Sequence, residues 1–499
     1  MATKKDLVEA YSFSRRRLVT AFLSGAPGGR EVEPNRPGRA IIGGVALAVL
    51  LVAGAAVLGI LKVPVDIDWT SEDLVSEEGT SADFAVLPDP EDDGEVVLRP
   101  IANVTSAMLL FGSDVDAREV PADEVAKQTR GPGIGILDAP ATPPTTANLI
   151  DTGWSACTAQ TATDEAGGVR VLVESEQQVQ PTPDVSYVVR SEQGLYLIAE
   201  SLVGTDDRGT PRAYAYPIPS LSLNEVDTLL SGLTGVDPSQ PVAVPQAWVE
   251  LFPSGGLLAR STFGVPNGAV KRSWPSADTL PGKARDARVG DVLARGDDSY
   301  VMLPDGSLLA LSAFAARLYD NLPPVGGRPS RTYAVQQPPP AVGIQNVTSL
   351  PNVNWPESGT SAVPGSQLCA LLDTVPNGQP GVVLATTTNE SEAASTSETE
   401  PIDVTVESGH GAFVLRGGWN TADATTLALV EERGQVHQLA GSEERVQLGY
   451  GDVDDVVVPD SWLQLFEVGV PLSIDAARCP PATRPTKDAD QCAELPESS

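Results

Sequence analysis

The 499-residue sequence is poor in basic side chains, with 33 Lys and Arg against 66 Asp and Glu and a formal net charge of −33. Proteins that bind nucleic acid need a basic face for the phosphates, so this balance argues against that class. Aromatic residues make up only 5 %, whereas Gly and Pro number 46 and 43. Such a composition favours short elements joined by turns over a long helical bundle.

The sequence also lacks the common catalytic motifs. It has no G-x-x-x-x-G-K-[ST], no G-x-S-x-G and no H-E-x-x-H, and its Gly282-Lys283 pair is followed by Ala284. The Gly-rich stretch 131–135 has the wrong spacing for a dinucleotide loop and is interpreted as a turn. Only two histidines are available for a triad or a metal site. The sequence therefore predicts no catalytic residue, no cofactor and no metal ligand.

The charge is divided by one apolar segment. Residues 1–39 hold eight basic and four acidic groups, whereas residues 63–499 hold 24 basic and 62 acidic groups, a net charge of −38. Between them, the 22 residues from Ala40 to Leu61 carry no charge and would reach about 33 Å as a helix, enough to cross a bilayer core of about 30 Å. The positive-inside rule predicts a single-pass protein of the cell membrane, with residues 40–62 spanning it, the N-terminus cytoplasmic and the rest outside.

A cleaved signal peptide is the alternative to this anchor, because Ser14–Leu18 faintly resembles a twin-arginine signal. The apolar stretch, however, starts more than 20 residues later and is longer than the usual hydrophobic region of a signal peptide. No small-x-small cleavage pattern follows it. An uncleaved anchor is therefore the preferred interpretation.

The cytoplasmic segment 1–39 contains a predicted helix over 5–24, with an apolar stripe beside Arg15, Arg16 and Arg17. Two roles fit this pattern equally well. The helix could lie on anionic lipid, or its arginines could dock onto a cytoplasmic partner.

The outer part is divided by composition. Residues 63–83 are acidic and are predicted to form a stalk, and 84–478 carry short apolar runs between turn residues, which predicts a mainly β or α+β domain. Helices are predicted at Leu223–Leu230 and Ser312–Leu322, whereas Met108–Leu110 is counted among the strand-like runs. The polar insertion at about 386–400 and the Pro-rich tail 479–499 have no core-forming pattern.

An internal repeat is visible in the pattern V-P-x-x-W-x-x-L-F-x-x-G-x-x-L. It occurs once at 244–258, around Trp248 and Phe252, and again 214 residues later, around Trp462 and Phe466. The spacing predicts a helix opened by Pro, ended by Gly and carrying its large side chains on one face. Hairpins predicted at 301–311 and 427–439 suggest that a hairpin followed by this helix is a repeated module.

The four cysteines all lie in the outer part, at Cys157, Cys369, Cys479 and Cys492. An even number in an oxidising compartment predicts two disulfides, for which four cysteines allow three connectivities. A zinc site is the less favoured alternative, because no C-x-x-C pair occurs.

Several stretches together resemble the EccB family, the single-span membrane component of the actinobacterial type VII (ESX) secretion system. They are Ala10–Val19, Arg99–Ala107, Gly135–Pro140, Trp154–Cys157, Gly409–Ala412, Leu448–Gly451 and Val457–Pro459. The resemblance implies an elongated extracytoplasmic domain, built from related β-rich repeats around a central portion, and a bridge between Cys157 and Cys369. It also implies self-association and assembly with the EccC ATPase, EccD, EccE and the MycP protease, EccE being the least secure partner.

The function implied is that of a structural subunit that anchors and oligomerises the outer part of an export channel. Some members of this family are labelled ATPases, which gives the first alternative, although this sequence has no nucleotide-binding motif. A membrane-anchored protein that binds the cell wall is the second alternative.

Overall fold

The structure is a computed structural model, and it divides into two compact units, Met1–Asp68 and Trp69–Ser499. It describes residues 3–24, 37–60, 68–71, 73–89, 95–158, 167–202, 211–234, 241–339, 342–347, 350, 353–357, 361–362, 368–387, 402–419, 424–481 and 492.

Ten α-helices and 26 strands are found in these described residues. The helices are α1 Lys4–Ser24, α2 Pro37–Ile60, α3 Val104–Phe111, α4 Ala122–Val125, α5 Leu223–Thr234, α6 Gln246–Val249, α7 Ala313–Asn321, α8 Ser442–Gln447, α9 Asp460–Leu463 and α10 Ile474–Ala477. The strands are β1 Leu74–Glu77, β2 Asp83–Pro88, β3 Val96–Pro100, β4 Arg118–Val120, β5 Thr129–Arg130, β6 Trp154–Thr158, β7 Val169–Val173, β8 Val179–Pro181, β9 Val185–Ser191, β10 Gly194–Ser201, β11 Arg212–Ile218, β12 Val242–Ala243, β13 Val292–Arg295, β14 Asp298–Met302, β15 Leu308–Leu311, β16 Thr332–Ala334, β17 Ile344–Asn346, β18 Ser361–Ala362, β19 Cys369–Asp373, β20 Gly381–Thr387, β21 Ile402–Val406, β22 Ala412–Gly417, β23 Thr426–Val430, β24 Gln435–Gln438, β25 Val457–Pro459 and β26 Glu467–Val468.

The first unit contains α1 and α2. At the start of α1, the Asp6 carboxylate accepts hydrogen bonds from the Thr3 backbone N–H and hydroxyl, at 3.0 and 2.7 Å. Helix α2 covers most of the apolar segment 40–61, and its side chains at 41–53 are exposed. Over the described residues, no helix has the combined length and apolarity of a membrane span. The span therefore stays a prediction.

The second unit begins with a five-stranded sheet whose order is β4-β1-β2-β3-β5. Strands β1, β2 and β3 form an antiparallel meander, and α3 leads to β4, which pairs parallel to β1. The short helix α4 then leads to β5, which pairs parallel to β3. We call this sheet, together with its helices, module 1.

Three further sheets have the same connectivity as module 1, and with their helices we call them modules 2, 3 and 4. Module 3 has the order β16-β13-β14-β15-β17, and module 4 has the order β25-β22-β23-β24-β26. Module 2 has the order β11-β10-β9-β12, with β18 also pairing with β9. Its fifth place is taken by a parallel bridge between Ala215 and Ser254. In each module, one helix connects the meander to a strand that pairs parallel to the first strand of that meander.

A central sheet of six strands, in the order β21-β7-β6-β19-β20-β8, is assembled from two distant chain segments. Strand β19 pairs antiparallel with β6, so that residues near 370 lie beside residues near 156. Every residue of β6 is buried. Continuous burial of this kind is typical of a strand that is covered on both faces.

Three hydrophobic clusters show how these sheets pack. One cluster joins modules 2 and 3, and includes α5 and α7. A second joins module 2, the central sheet and module 4. The third joins modules 1 and 4, and includes α3 and residues that flank α8. Modules 1 and 3 thus belong to separate cores, whereas modules 2 and 4 share the core around the central sheet.

The predicted helices at 223–230 and 312–322 are confirmed by α5 and α7, but the strand-like interpretation of Met108–Leu110 is wrong. These residues lie in α3, whose first turn is capped by Asn103, because its side chain accepts the Ser106 N–H at 2.9 Å. Apolar runs of this length do not distinguish a strand from a buried helix.

Two further predictions need correction. The second half of the predicted stalk 63–83 belongs to module 1, because β1 lies there with Leu74 and Val75 buried. The hairpin predicted at 301–311 exists as β14 and β15, but it belongs to module 3 and is not followed by a Val-Pro helix. The first two residues of the predicted insertion 386–400 end β20, and its remaining residues lie outside the described part, as does most of the tail 479–499.

Candidate functional site

The two sequence motifs adopt the same backbone conformation in modules 2 and 4. Pro245 precedes α6 with φ −61° and ψ 146°, and Pro459 precedes α9 with φ −60° and ψ 140°. Each helix has four residues and ends at a residue with nearly the same dihedral angles, Glu250 at −72° and −9° and Gln464 at −69° and −13°. The predicted helix therefore exists but is a single turn. Leu251 and Leu465 follow it and are also buried.

The two tryptophans of the motifs are buried with their indole N–H groups satisfied. Trp248 donates to the Ala156 carbonyl of β6 at 3.0 Å, and Trp462 donates to the Leu251 carbonyl of the other motif at 3.1 Å. Burying an indole without such a partner would cost its desolvation free energy. The second bond joins the two motifs directly, although they are more than 200 residues apart in the sequence.

The two phenylalanines complete this packing. The ring of Phe252 lies 5.0 Å from that of Trp248 in an edge-to-face arrangement, and the ring of Phe466 lies 5.5 Å from that of Trp154 on the central sheet. Aromatic pairs at such separations stabilise beyond their buried area by about 0.5–1.5 kcal/mol each. Residues from both motifs and from the central sheet therefore form one cluster.

The glycine of each motif allows two backbones to approach closely. The Gly255 N–H donates to the Ala215 carbonyl at 2.8 Å, and the Gly469 N–H donates to the Val436 carbonyl at 2.9 Å. A Cβ at Gly255 would lie 2.3 Å from the ring of Tyr216, and a Cβ at Gly469 would lie 2.4 Å from the ring of His437. Both rings are buried on the third strand of their module. The glycine is therefore needed for space.

A third copy of the motif lies in module 1, where sequence reasoning missed it. Pro121 precedes α4 with φ −57° and ψ 138°, and the Gly131 N–H, ten residues on, donates to the Leu98 carbonyl of the third strand at 3.0 Å. The Ile134 N–H then donates to Pro100, as Leu258 and Leu472 donate in the other two modules. The positions of Trp, Leu and Phe are occupied by Glu124, Lys127 and Gln128.

These substitutions explain why the third copy was missed. The motif is recognisable in the sequence by its Trp, Leu and Phe residues, and module 1 has none of these at the equivalent positions. Its Lys127 ammonium instead lies 2.7 Å from a Glu124 carboxylate oxygen in an exposed ion pair. The spacing from Val-Pro to Gly and on to an apolar residue is the signal that could have revealed it.

The four cysteines form two disulfides, Cys157–Cys369 and Cys479–Cys492. Cys157 and Cys369 lie directly opposite each other on β6 and β19, and both are buried. This bridge closes a loop over a sequence separation of 212, whereas the other closes one over 13. In the loop-entropy treatment, closures of about 100 and 15 residues stabilise by about 4.7 and 3 kcal/mol respectively.

The Gly-rich stretch 131–135 does not form the predicted turn, because it runs beside β3 and Ile134 makes a parallel bridge to Ile101. The N–H groups of Gly131, Ile134 and Gly135 donate to the carbonyls of Leu98, Pro100 and Cys479 respectively, at 2.8–3.1 Å. A phosphate-binding loop needs such amides free to face the ligand. In the part of the chain that the structure describes, no group of three His, Cys, Asp or Glu side chains could hold a metal ion.

The predicted docking arginines Arg15, Arg16 and Arg17 lie on the exposed surface of α1. Nearby apolar side chains are exposed too, with Leu18 at 68 % and Phe22 at 92 % of their full accessibility. A helix with both basic and apolar residues exposed suits either a lipid surface or a protein partner.

Four modules of one connectivity, two of which are joined through the aromatic core around a central sheet, define a modular protein. The chain matches the family described as "Type VII secretion system ESX-1, transport TM domain B" over residues 1–483. It therefore belongs to this family, which is the EccB family of ESX systems.

Individual relatives agree with this assignment. The chain is 25 % identical over 384 residues to "ESX-1 secretion system ATPase EccB1" of Mycolicibacterium smegmatis (strain MKD8), covering 74 % of this chain and 70 % of the relative. It is 28 % identical over 369 residues to "ESX-2 secretion system ATPase EccB2" of Mycobacterium tuberculosis, covering 71 % of this chain and 66 % of the relative. The chain thus spans about two thirds of the length of the second relative.

Solved structures share the fold. A chain of an intact ESX-5 inner membrane complex has a TM-score of 0.57 at 19 % identity, covering 98 % of this chain and 97 % of that one. The EccB3 dimer from the ESX-3 core complex has a TM-score of 0.58 at 18 % identity, covering 81 % and 99 %. The mainly β and α+β architecture predicted from the sequence is confirmed by this similarity.

Proposed function

We propose that the protein is a structural subunit of a type VII secretion complex, anchored in the cell membrane, whose outer part oligomerises around the export path. The match to the family over residues 1–483 carries this proposal. The modular fold supports it, because a scaffold of related modules offers several surfaces for protein neighbours. Relatives of the same fold occur in an ESX inner membrane complex and as a dimer.

The proposed topology rests on the sequence. Residues 40–62 cross the membrane once, the +4 segment 1–39 stays in the cytoplasm, and the segment 63–499 of net charge −38 lies outside. The two disulfides support this topology, because disulfides persist in oxidising compartments and all four cysteines are on the outer side.

In the proposed complex, Arg15, Arg16 and Arg17 on α1 contact cytoplasmic neighbours, for which the EccC ATPase and EccD are the candidates. EccE and the MycP protease are further candidate partners, and the outer part self-associates. The exposed position of the three arginines supports a docking role.

The test is purification of the full-length protein in mild detergent from its own host, with identification of the proteins that co-purify. We expect EccC and EccD with the wild type, and a loss of at least one of them with a variant that lacks residues 1–39 but keeps the span. As a matched control, Lys4→Glu with Lys5→Glu reverses charge on α1 outside the arginine cluster. Recovery of no secretion protein by the wild type would refute the proposal.

ATP hydrolysis is the second candidate, because the relatives EccB1 and EccB2 carry the word ATPase in their names. The amides of Gly131, Ile134 and Gly135 are bonded to carbonyls of the protein itself, which does not support nucleotide binding at that Gly-rich segment. Turnover of ATP by the purified full-length protein, retained after removal of any EccC, would favour this candidate. Turnover that follows EccC through purification would count against it.

A further inference from the structure

A basic surface lies on the outer part, in spite of its large acidic excess. Residues 271–288, which we call the basic lobe, hold five basic and two acidic side chains. The lobe folds back on itself, because Ser273 pairs antiparallel with Arg288 and the Trp274 N–H donates to the Ala287 carbonyl at 2.9 Å. Trp274 and Ala287 are buried beneath it, so that the lobe is anchored on the core of modules 2 and 3.

All five basic side chains of the basic lobe are exposed. They are Lys271, Arg272, Lys283, Arg285 and Arg288. Among the described residues, none of the five forms an ion pair, whereas Arg328, between α7 and β16, pairs with the buried Asp291 at 2.9 Å. A concentrated positive surface on a strongly acidic domain attracts an acidic partner over several ångströms.

A complementary surface lies on module 1. Residues 114–124, which we call the acidic edge, hold five acidic side chains and one basic side chain. They run along β4, the edge strand of the sheet, which pairs with β1 alone among the strands of the described residues. Asp114, Asp116, Glu119 and Asp123 are exposed. The acidic edge also includes Glu124, which stands where modules 2 and 4 bury a tryptophan.

The two surfaces belong to different cores of the same chain. The basic lobe rests on the core of modules 2 and 3, and module 1 shares its core with module 4. No ion pair between described residues joins the basic lobe to the acidic edge. Because the charged side chains of the basic lobe and four of the five acidic side chains of the acidic edge are exposed, they can contact another molecule.

We propose that the basic lobe of one copy of this chain docks on the acidic edge of a second copy. The inference rests on the proposed function in that it assigns surfaces to the self-association of the outer part. A second copy accounts for both surfaces, whereas an anionic polymer would account only for the basic lobe. Because two different surfaces meet, the contact is head-to-tail, and repetition can close a ring.

The experiment uses full-length protein in mild detergent, carrying two different affinity tags, with co-capture of one tag measured through the other. One variant, the lobe variant, reverses two charges of the basic lobe (Lys271→Glu, Arg272→Glu). Another, the edge variant, reverses two charges of the acidic edge (Glu119→Lys, Asp123→Lys). Each variant alone is expected to weaken co-capture with itself by about tenfold or more, because like charges then face each other. Arg317→Glu, an exposed change on α7 outside the lobe, is the matched control and should leave co-capture unchanged.

Mixing the lobe variant with the edge variant is the decisive arm, because a reversed lobe can pair with a reversed edge. We expect the mixture to recover co-capture that neither variant shows alone. Unchanged co-capture of both single variants, or no recovery in the mixture, would overturn the inference. Either of these two results would still be compatible with the proposed function if the variants co-purify other secretion proteins. Loss of binding to isolated cell wall by the lobe variant, with self-association intact, would point to a polymer and also overturn it.

Discussion

Modules 1 and 4 share one connectivity and one Val-Pro helix, yet they use that helix in opposite ways. In module 4, α9 buries Trp462 against the motif of module 2, and Phe466, which follows the helix, packs against the central sheet. In module 1, Glu124 of α4 and Lys127, just after the helix, form an exposed ion pair. The comparison shows that the backbone of the motif depends on its proline, its glycine and their spacing, whereas its packing depends on three side chains.

Modules 1 and 4 also differ in the side chain that the third strand places against the motif glycine. The residue beside the motif glycine is His437 in module 4 and Arg99 in module 1. His437 is fully buried, and its Nδ1 lies 2.9 Å from the Val470 carbonyl. Because a carbonyl only accepts, Nδ1–H is the donor. Burial lowers the pKa of His437, and burial also lowers the pKa of Arg99.

The largest expected effect comes from removing the buried tryptophan. Trp462→Ala leaves a cavity and removes the partner of the Leu251 carbonyl, and should lower the free energy of unfolding by about 3–5 kcal/mol. Glu124→Ala, at the equivalent position of module 1, should have a much smaller effect. Thermal unfolding of both full-length variants in mild detergent measures the difference. Equal losses of stability would break the contrast between the modules.

A smaller difference is expected at the motif glycines. In Gly469→Ala, the new Cβ would lie 2.4–2.8 Å from atoms of the buried His437 ring. Overpacking of this kind costs about 1–3 kcal/mol. In Gly131→Ala, the nearest atoms are the Val97 Cγ1 at 2.9 Å and the Arg99 Cγ at 3.1 Å, on side chains that can move. The Tm should therefore fall further for Gly469→Ala, and the opposite order would contradict the close-approach explanation.

The next effect concerns pH, because the buried His437 of module 4 should make the stability of the protein depend on it. His437 has a pKa below its ordinary value of 6.5 in the folded protein, so the unfolded chain binds the proton more readily. Its contribution to stability is therefore complete above about pH 6.5 and is lost as the pH falls below that value. Measured between pH 7 and pH 5, the Tm of His437→Gln should fall less steeply than that of the wild type. Parallel slopes would show that His437 does not titrate in this range.

The smallest effect is expected from Lys127→Ala, which removes the exposed ion pair of module 1. Hydrogen bonding to Glu124 raises the pKa of Lys127, but the side chain is 61 % exposed and the pair is screened by solvent. The Tm should change by no more than the error of the measurement. A clear loss of stability would mean that α4 is held in place by this pair.

The sequence carried much of this architecture in local signals. The helices α5 and α7 follow from apolar spacing, and the hairpin at 298–311 follows from its Asp-Gly turn. The Trp motif could be read because its large residues recur at fixed intervals. The interpretation of Met108–Leu110 as a strand is wrong, because a short apolar run carries no reliable period and only the Asn103 cap marks the helix.

By itself the sequence determined which segments are apolar, which are charged and where the two Val-Pro helices that carry a tryptophan begin, because these depend on neighbouring residues. Only the tertiary structure decided that Trp462 binds the carbonyl of Leu251 and that Cys157 faces Cys369. It also decided that 121–131 is a third copy of the motif without its aromatic residues. The contacts of Trp462 and Cys157 join residues more than 200 positions apart, and local spacing does not encode them, since they depend on how whole sheets pack.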